Sequence, residues 1–217
     1  MPHTYHSISD LPEAFAVFPL PGTILLPRWQ LPLNIFEPRY LNMIDDAMAG
    51  TKLIGMIQPF GGDRAHPVLA NIGCIGRITE YSETNDGRYL LTLVGLARFR
   101  IIEELEVHTP YRQVRGSFQD YALDLEDPDI EGLPPRLRLE AALQIYADAN
   151  GFGADWAAIH KAPIENLING LAAGLPLQAI EKQALIEAKD LKMRCETLIK
   201  ILSMAPDASN NESGPLQ

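Results

Sequence analysis

The spacing of hydrophobic residues changes once along this chain of 217 residues, and that change limits the folds it can adopt. From about residue 14 to residue 119, short apolar runs alternate with polar residues, glycines and prolines, a pattern typical of β-strands. After Pro134-Pro135, apolar residues recur every three or four positions, as they do in packed helices. The sequence therefore predicts an α+β protein, with a β-rich N-terminal subdomain followed by a C-terminal helical bundle.

The stretch Asp120–Glu131 separates the two patterns, because it holds six acidic residues and no basic one. Such a stretch is typical of a solvated connector. The predicted parts are a flexible N-terminal segment (1–12), a β-rich subdomain (13–119), an acidic connector (120–133), a helical bundle (134–205) and a disordered tail (206–217).

Within the β-rich part, glycines at positions 55, 73, 76 and 95 interrupt strand-like runs and predict bulges in a curled sheet. Asn85-Asp86-Gly87 predicts a β-hairpin with a type I′ turn. The short apolar run Thr23–Leu26 predicts a further strand. Farther along, the spacing of apolar residues from Leu177 to Leu202 predicts one long final helix.

The overall charge limits the classes of partner. A formal net charge of −10 argues against general binding to nucleic acid or to anionic membranes, since both require clustered Lys and Arg. No apolar run reaches the roughly 18 residues of a membrane span, and no secretory signal precedes the first strand. The two cysteines are far apart in apolar surroundings, which is typical of free thiols in a reducing compartment. These features predict a cytoplasmic protein.

Catalytic motifs are absent from the sequence. Neither a G-x-x-x-x-G-K-[ST] phosphate loop nor a G-x-S-x-G nucleophile elbow occurs. Cys74 and Cys195 lie in apolar patterns that favour burial over reactivity. The histidines are scattered and have no nearby metal-ligand partners in sequence. We therefore expect no catalytic residue, no metal site and no cofactor.

Three segments carry a resemblance to a known family: Phe18-Pro19-Leu20-Pro21-Gly22, Phe36–Tyr40 and Gly95–Ile101. In them the chain resembles the substrate-binding (LON) domain at the amino end of ATP-dependent Lon proteases, and stand-alone bacterial proteins carry the same domain. The resemblance extends over roughly residues 15–204. It implies a curled, PUA-like pseudo-barrel sheet followed by a helical bundle that ends in a long helix, without the ATPase and protease parts.

Phe36-Glu37-Pro38-Arg39-Tyr40 is the first candidate site, at a predicted strand-to-helix corner. In one interpretation Phe36 and Tyr40 are core residues and Glu37 and Arg39 orient the corner. In the other, the corner borders a groove that grips polypeptide. The same alternatives apply to arginines on strands beside an aromatic residue, because guanidinium groups suit peptide carboxylates and carbonyls. The candidate peptide-binding residues are Phe36, Glu37, Arg39, Tyr40, Arg77, Arg98 and Phe99.

The preferred interpretation is a non-enzymatic module that binds a peptide or a partly unfolded protein, by strand addition to a sheet edge or by capture of apolar side chains. One alternative is a small-molecule-binding or enzymatic PUA-like domain. Another is an adaptor that docks on a larger complex through its C-terminal helix. The sequence does not specify the oligomeric state.

Overall fold

The computed structural model describes residues 5–62 and 67–204 of the chain. These residues form two compact units. The first contains the described residues up to 128 together with 169–187, and the second contains 129–168 and 188–204. The predicted disordered tail (206–217) and the first four residues lie outside the described residues. Within the predicted flexible segment, a 3-10 helix spans Ile8–Asp10 and is closed by a capping box from Ser7 and Asp10.

The first unit is built on strands β1 (Ala14–Pro19), β2 (Gln30–Ile35), β3 (Leu53–Ile57), β4 (Pro59–Gly62), β5 (Pro67–Leu69), β6 (Ile72–Glu83), β7 (Tyr89–Glu104) and β8 (Gln113–Ser117). Six of them form one sheet in the order β2-β7-β6-β3-β1-β8, and β4 pairs with β5. An additional pairing of β7 with β8 closes five strands into a ring and leaves β2 outside it, on β7. The predicted curled, β-rich part is thus confirmed.

Glycines permit this curvature where neighbouring chain segments approach closely. A Cβ atom at Gly95 would lie 2.1 Å from the carbonyl oxygen of Leu26, so only glycine fits there without a shift of the backbone. The register of β6 against β7 changes between Ile75 and Gly76, which is a bulge of the kind that the sequence predicted.

Aromatic side chains form part of the hydrophobic core of the first unit. The rings of Phe15 and Phe99 meet edge to face with centroids 4.8 Å apart, and Phe118 lies 5.8 Å from Phe15. All three side chains are buried, with Phe99 at 0% exposure. Edge-to-face packing is favourable between aromatic rings, so this cluster contributes to the stability of the sheet.

The run Thr23–Leu26, predicted as a strand, is instead a loop. Its apolar residues are nevertheless buried, with Leu25 and Leu26 at 0% exposure. The amide of Trp29 donates to the carbonyl of Leu26 at 3.0 Å, and Arg28 has a φ of 61°. This turn redirects the chain, which explains why an apolar run this short forms no strand here.

The hairpin around residues 84–88 is present, but its turn is not of type I′. The amide of Thr84 donates to the carbonyl of Arg88 at 2.8 Å. Gly87 has a φ of 77°, whereas neither Asn85 nor Asp86 has a positive φ. The side chain of Asp86 accepts from Thr84 and pairs with Arg88. These contacts hold a longer loop that ends at a left-handed glycine.

The α-helices of the described residues are α1 (Pro38–Ala49), α2 (Arg136–Asn150), α3 (Trp156–Lys161), α4 (Ile164–Gly174), α5 (Ala179–Glu187) and α6 (Leu191–Ser203). The single helix expected over Leu177–Leu202 is therefore two helices. Asp190 separates them, because its carboxylate accepts from the amide of Met193 at 2.8 Å and caps α6. The apolar spacing continues across this break, since Ala188 and Leu191 are both buried.

The predicted division of the chain differs from the observed units in two places. Helix α5 belongs to the unit of the sheet, where the side chain of Gln183 donates to the carbonyl of Ile72 at 3.1 Å. The acidic stretch contains a 3-10 helix, Gln119–Leu125, whose Asp124 is buried.

In the second unit, α2 packs against α6. Over the residues described, no helix has both the length and the hydropathy of a membrane span.

Candidate functional site

A cleft of about 650 Å³ lies in the first unit, at the corner where β2 ends and α1 begins. Four of the seven residues that the sequence predicted line this cleft together. The remaining lining comes from the end of β1, from β2, from β4 and β5, and from the segment that leads into β8. The predicted residues on its wall are Phe36, Glu37, Arg39 and Tyr40.

Phe36 is the exposed apolar group of this corner. Its side chain is 65% exposed, whereas that of Tyr40, one helical turn later, is only 6% exposed. The ring of Tyr40 packs on Phe18 with centroids 4.4 Å apart. Tyr40 therefore belongs to the core, and the interpretation that placed both Phe36 and Tyr40 there fits Tyr40 alone. Phe36 is an apolar ring that water still covers, which favours contact with another molecule.

Glu37 and Arg39 form an ion pair at the start of α1. The Nε of Arg39 donates to Oε2 of Glu37 at 3.1 Å, and Nη2 lies 2.9 Å from the same oxygen. Glu37 makes no side-chain cap with the helix. The guanidinium of Arg39 also lies 4.5 Å from the ring centre of Tyr40. Burial raises the pKa of Tyr40, and the positive charge of Arg39 opposes that rise.

The lining also contains two groups that the sequence reasoning did not identify. Arg112 binds Glu104 through Nε and Nη2, each at 2.5 Å. Tyr111 donates to the carboxylate of Asp46, on α1, at 2.5 Å. Burial and this hydrogen bond raise the pKa of Tyr111 to about 12. No local pattern links these residues to Phe36, because pairing of β1 with β8 joins positions about a hundred residues apart.

Arg98 and Phe99, also predicted to contact peptide, are buried at 2% and 0% exposure. Nε and Nη2 of Arg98 donate to the two carboxylate oxygens of Asp124 at 2.8 and 2.7 Å. The guanidinium lies 4.0 Å from the ring centre of Tyr121, and Nη1 donates to the carbonyl of Ile186 at 3.1 Å. Neither Arg98 nor Phe99 is accessible to a ligand in this structure. Alternation alone could not reveal this, since it assumes that one face of the strand meets water.

Arg77 lies apart from the cleft. It borders a shallower depression of about 540 Å³ that is also lined by Tyr5, Asp10 and Lys52. The structure therefore places four of the predicted residues at the cleft, where Tyr40 is also a core residue, two away from the cleft in the core, and one at a second depression.

The chemistry of the cleft suits noncovalent binding. Its described lining offers aromatic and aliphatic surface, and it includes no Ser, Thr, Cys or His side chain. Its charged groups are matched: Arg39 pairs with Glu37, and Arg112 pairs with Glu104. Across the described residues, no group of three His, Cys, Asp or Glu side chains is arranged to hold a metal ion.

Comparison with known proteins identifies one family model. The model of the ATP-dependent protease La (LON) substrate-binding domain matches residues 14–204. This range includes every strand and every α-helix described above.

Curated relatives are longer proteins. Lon protease 2 of Myxococcus xanthus is 25% identical over 201 residues, which cover 89% of this chain and 24% of that protein. The Lon protease of Flavobacterium johnsoniae is 27% identical over 197 residues, with 87% and 24% covered. The chain thus spans about a quarter of the length of these relatives.

Solved structures share the fold. A Lon N-terminal domain protein from Xanthomonas campestris has a TM-score of 0.63 and 24% identity, with 86% of this chain and 97% of that chain covered. The N-terminal domain of the Lon protease from the Mycobacterium avium complex has a TM-score of 0.60 and 16% identity, with 88% and 98% covered.

Proposed function

Because the chain belongs to the family of LON substrate-binding domains, we propose that it binds polypeptide segments in the cleft between β2 and α1, without breaking a covalent bond. The observation that carries this proposal is Phe36, a large apolar side chain that is 65% exposed on the wall of that cleft. Exposed aromatic residues in a concave surface are typical anchors for a partner.

The surroundings of Phe36 support a peptide as the partner. Among the described strands of the main sheet, β2 pairs with a single strand, β7, whereas each strand of the ring pairs with at least two. Its Pro32, Leu33 and Asn34 border the cleft. A segment lying there would meet apolar surface, which is one of the features that peptide-binding grooves use. Glu37 and Arg39, each nearly half exposed, would contact the polar groups of the segment at the rim.

Binding can be measured by fluorescence anisotropy, with labelled, reduced and carboxymethylated α-lactalbumin as a permanently unfolded probe. We expect saturable binding by the wild type and a loss of about tenfold in affinity for Phe36→Ala, the size of effect that an anchor residue gives. Leu123→Ala is the matched control, because Leu123 is also highly exposed, at 73%, and does not line the cleft.

Two outcomes would count against the proposal. If the wild type shows no saturable binding, the protein is not a polypeptide-binding module of this kind. If Phe36→Ala and Leu123→Ala bind as tightly as the wild type, polypeptide binds elsewhere and the cleft is not the site.

A further inference from the structure

The cleft is unusual in the number of prolines on its wall. Of its eighteen described lining residues, six are prolines: Pro19, Pro21, Pro32, Pro59, Pro67 and Pro110. A proline has no backbone N–H group, so these positions can accept hydrogen bonds but cannot donate them. Their rings are rigid and apolar. The wall is therefore better suited to packing against side chains than to pairing with another strand.

The position of Pro32 bears directly on strand pairing. The carbonyl of Trp29 accepts from the amide of Gly95 in β7 at 3.0 Å. Successive residues of a strand direct their main-chain groups to opposite sides. Trp29 faces β7, and residues 31, 33 and 35 therefore face it too. The main-chain groups of Gln30, Pro32 and Asn34 point to the open edge of β2. Pro32, the central residue of the three, has no N–H group to donate there.

The charges of the cleft further limit the kind of polypeptide segment that it can bind. Arg39 is paired with Glu37, Arg112 is paired with Glu104, and the hydroxyl of Tyr111 is engaged by Asp46. Each charged group on the described part of the wall is thus compensated by a neighbour. A charged side chain entering the cleft would lose water without gaining a matching partner, whereas an uncharged apolar side chain would not.

We propose that the cleft binds an uncharged, apolar segment of polypeptide by capturing its side chains against Phe36 and the proline rings. The segment does not add as a strand to β2. This inference rests on the proposed function. Pro32 and Phe36 then have separable roles. Phe36 determines affinity, and Pro32 keeps the edge of β2 closed to regular pairing.

The experiment uses a fluorescein-labelled Gly/Ser peptide with a central Leu-Phe-Leu, together with the same peptide N-methylated at alternate residues. Pro32→Val keeps an apolar side chain on the wall and restores the missing main-chain donor, so side-chain capture predicts no gain in affinity for this variant, whereas strand addition predicts tighter binding. Side-chain capture also predicts that Phe36→Ala weakens binding about tenfold. Alternate N-methylation, which removes the donors needed for a strand ladder, is expected to reduce affinity by no more than about threefold. Peptides with Asp-Phe-Asp or Lys-Phe-Lys should both bind more weakly.

The contrary results are distinct from a failure of the proposed function. Tighter binding by Pro32→Val, together with loss of binding on N-methylation, would establish strand addition and overturn side-chain capture while polypeptide binding stands. A clear preference for one sign of charge would overturn the inferred apolar specificity. If neither the peptides nor unfolded α-lactalbumin bind the wild type, both proposals fail.

Discussion

Two arginines of the first unit each pair with a carboxylate and lie against a tyrosine ring, but in opposite environments. Arg39 pairs with Glu37 at 2.9 Å and lies 4.5 Å from the ring centre of Tyr40. Arg98 pairs with Asp124 at 2.7 Å and lies 4.0 Å from the ring centre of Tyr121. The side chains of the first pair are 41% and 46% exposed, and those of the second are 3% and 9% exposed.

This difference in burial determines whether an arginine stabilises the fold or remains available to a ligand. A buried charge that loses its partner cannot be solvated by water, so the second pair is costly to break. An exposed pair competes with water and contributes little to stability, but its groups can reorient towards a ligand. The same residue types can therefore hold a fold together or meet a partner, and burial decides which.

The largest effect is expected for Arg98→Ala. The substitution leaves the carboxylate of Asp124 buried and unpaired, and it removes a donor from the carbonyl of Ile186. We expect the free energy of unfolding to fall by about 3–5 kcal/mol, measured by urea denaturation. A loss below about 1 kcal/mol would mean that the two arginine pairs are energetically alike, and the comparison would fail.

An intermediate effect is expected for Tyr111→Phe, with Tyr89→Phe as its control. Tyr111 is 7% exposed and donates to Asp46, whereas Tyr89 makes the corresponding bond to Asp45 in an exposed setting. We expect Tyr111→Phe to reduce the free energy of unfolding by about 1–2 kcal/mol and Tyr89→Phe by less than about 0.5 kcal/mol. Equal losses would show that burial does not govern these hydrogen bonds.

The raised pKa of Tyr111 predicts that the stability of the folded protein depends on pH. Its pKa is raised from 10.0 to about 12 in the folded protein, so the folded state holds this proton more tightly than the unfolded chain. The stabilisation is fully present below pH 10 and is lost as the pH rises towards 12. Urea titrations across that range should give a smaller decline for Tyr111→Phe than for the wild type. Parallel curves would contradict the assignment to Tyr111.

A small effect is expected for Arg39→Ala. The pair with Glu37 is nearly half exposed, and such pairs contribute less than about 1 kcal/mol. Thermal or urea unfolding should therefore place this variant close to the wild type. A loss comparable with that of Arg98→Ala would assign Arg39 to the framework of the fold and weaken its proposed contact with polypeptide.

The smallest change in stability is expected for Phe36→Ala. Because Phe36 is 65% exposed, its truncation removes little buried surface, and the free energy of unfolding should stay within about 0.5 kcal/mol of the wild-type value. Its affinity for polypeptide should nevertheless fall. A destabilisation above about 2 kcal/mol would place Phe36 in the core.

Much of the fold could be predicted because it rests on local signals. The change in hydrophobic spacing separated the β-rich part from the helices, and the strand-to-helix corner predicted at Phe36–Tyr40 is where α1 begins. The break between α5 and α6 was not predictable from apolar spacing, since Ala188 and Leu191 preserve it. Asp190 is the local signal that could have located it, because aspartate is a favoured N-cap.

The site was less accessible to sequence reasoning. Phe36 and Arg39 lie three positions apart in the chain, and the corner that brings them together is itself local. Tyr111 and Arg112 reach the same cleft only through the long-range pairing of strands. Arg98 has the alternating spacing of an exposed strand residue, and its burial depends on Asp124, a residue of the stretch expected to be a solvated connector.

The closure of the sheet by β1 and β8 has a kinetic consequence. These strands pair Ala14 with Arg115 and Ala16 with Gln113, so their pairing closes a loop of about a hundred residues. Closing so long a loop is entropically costly, and contacts of this kind form slowly. In a refolding reaction followed by pulsed hydrogen exchange, the amides of the β6–β7 hairpin should gain protection first. Those of β1 should follow, and with them the part of the cleft wall that β1 forms.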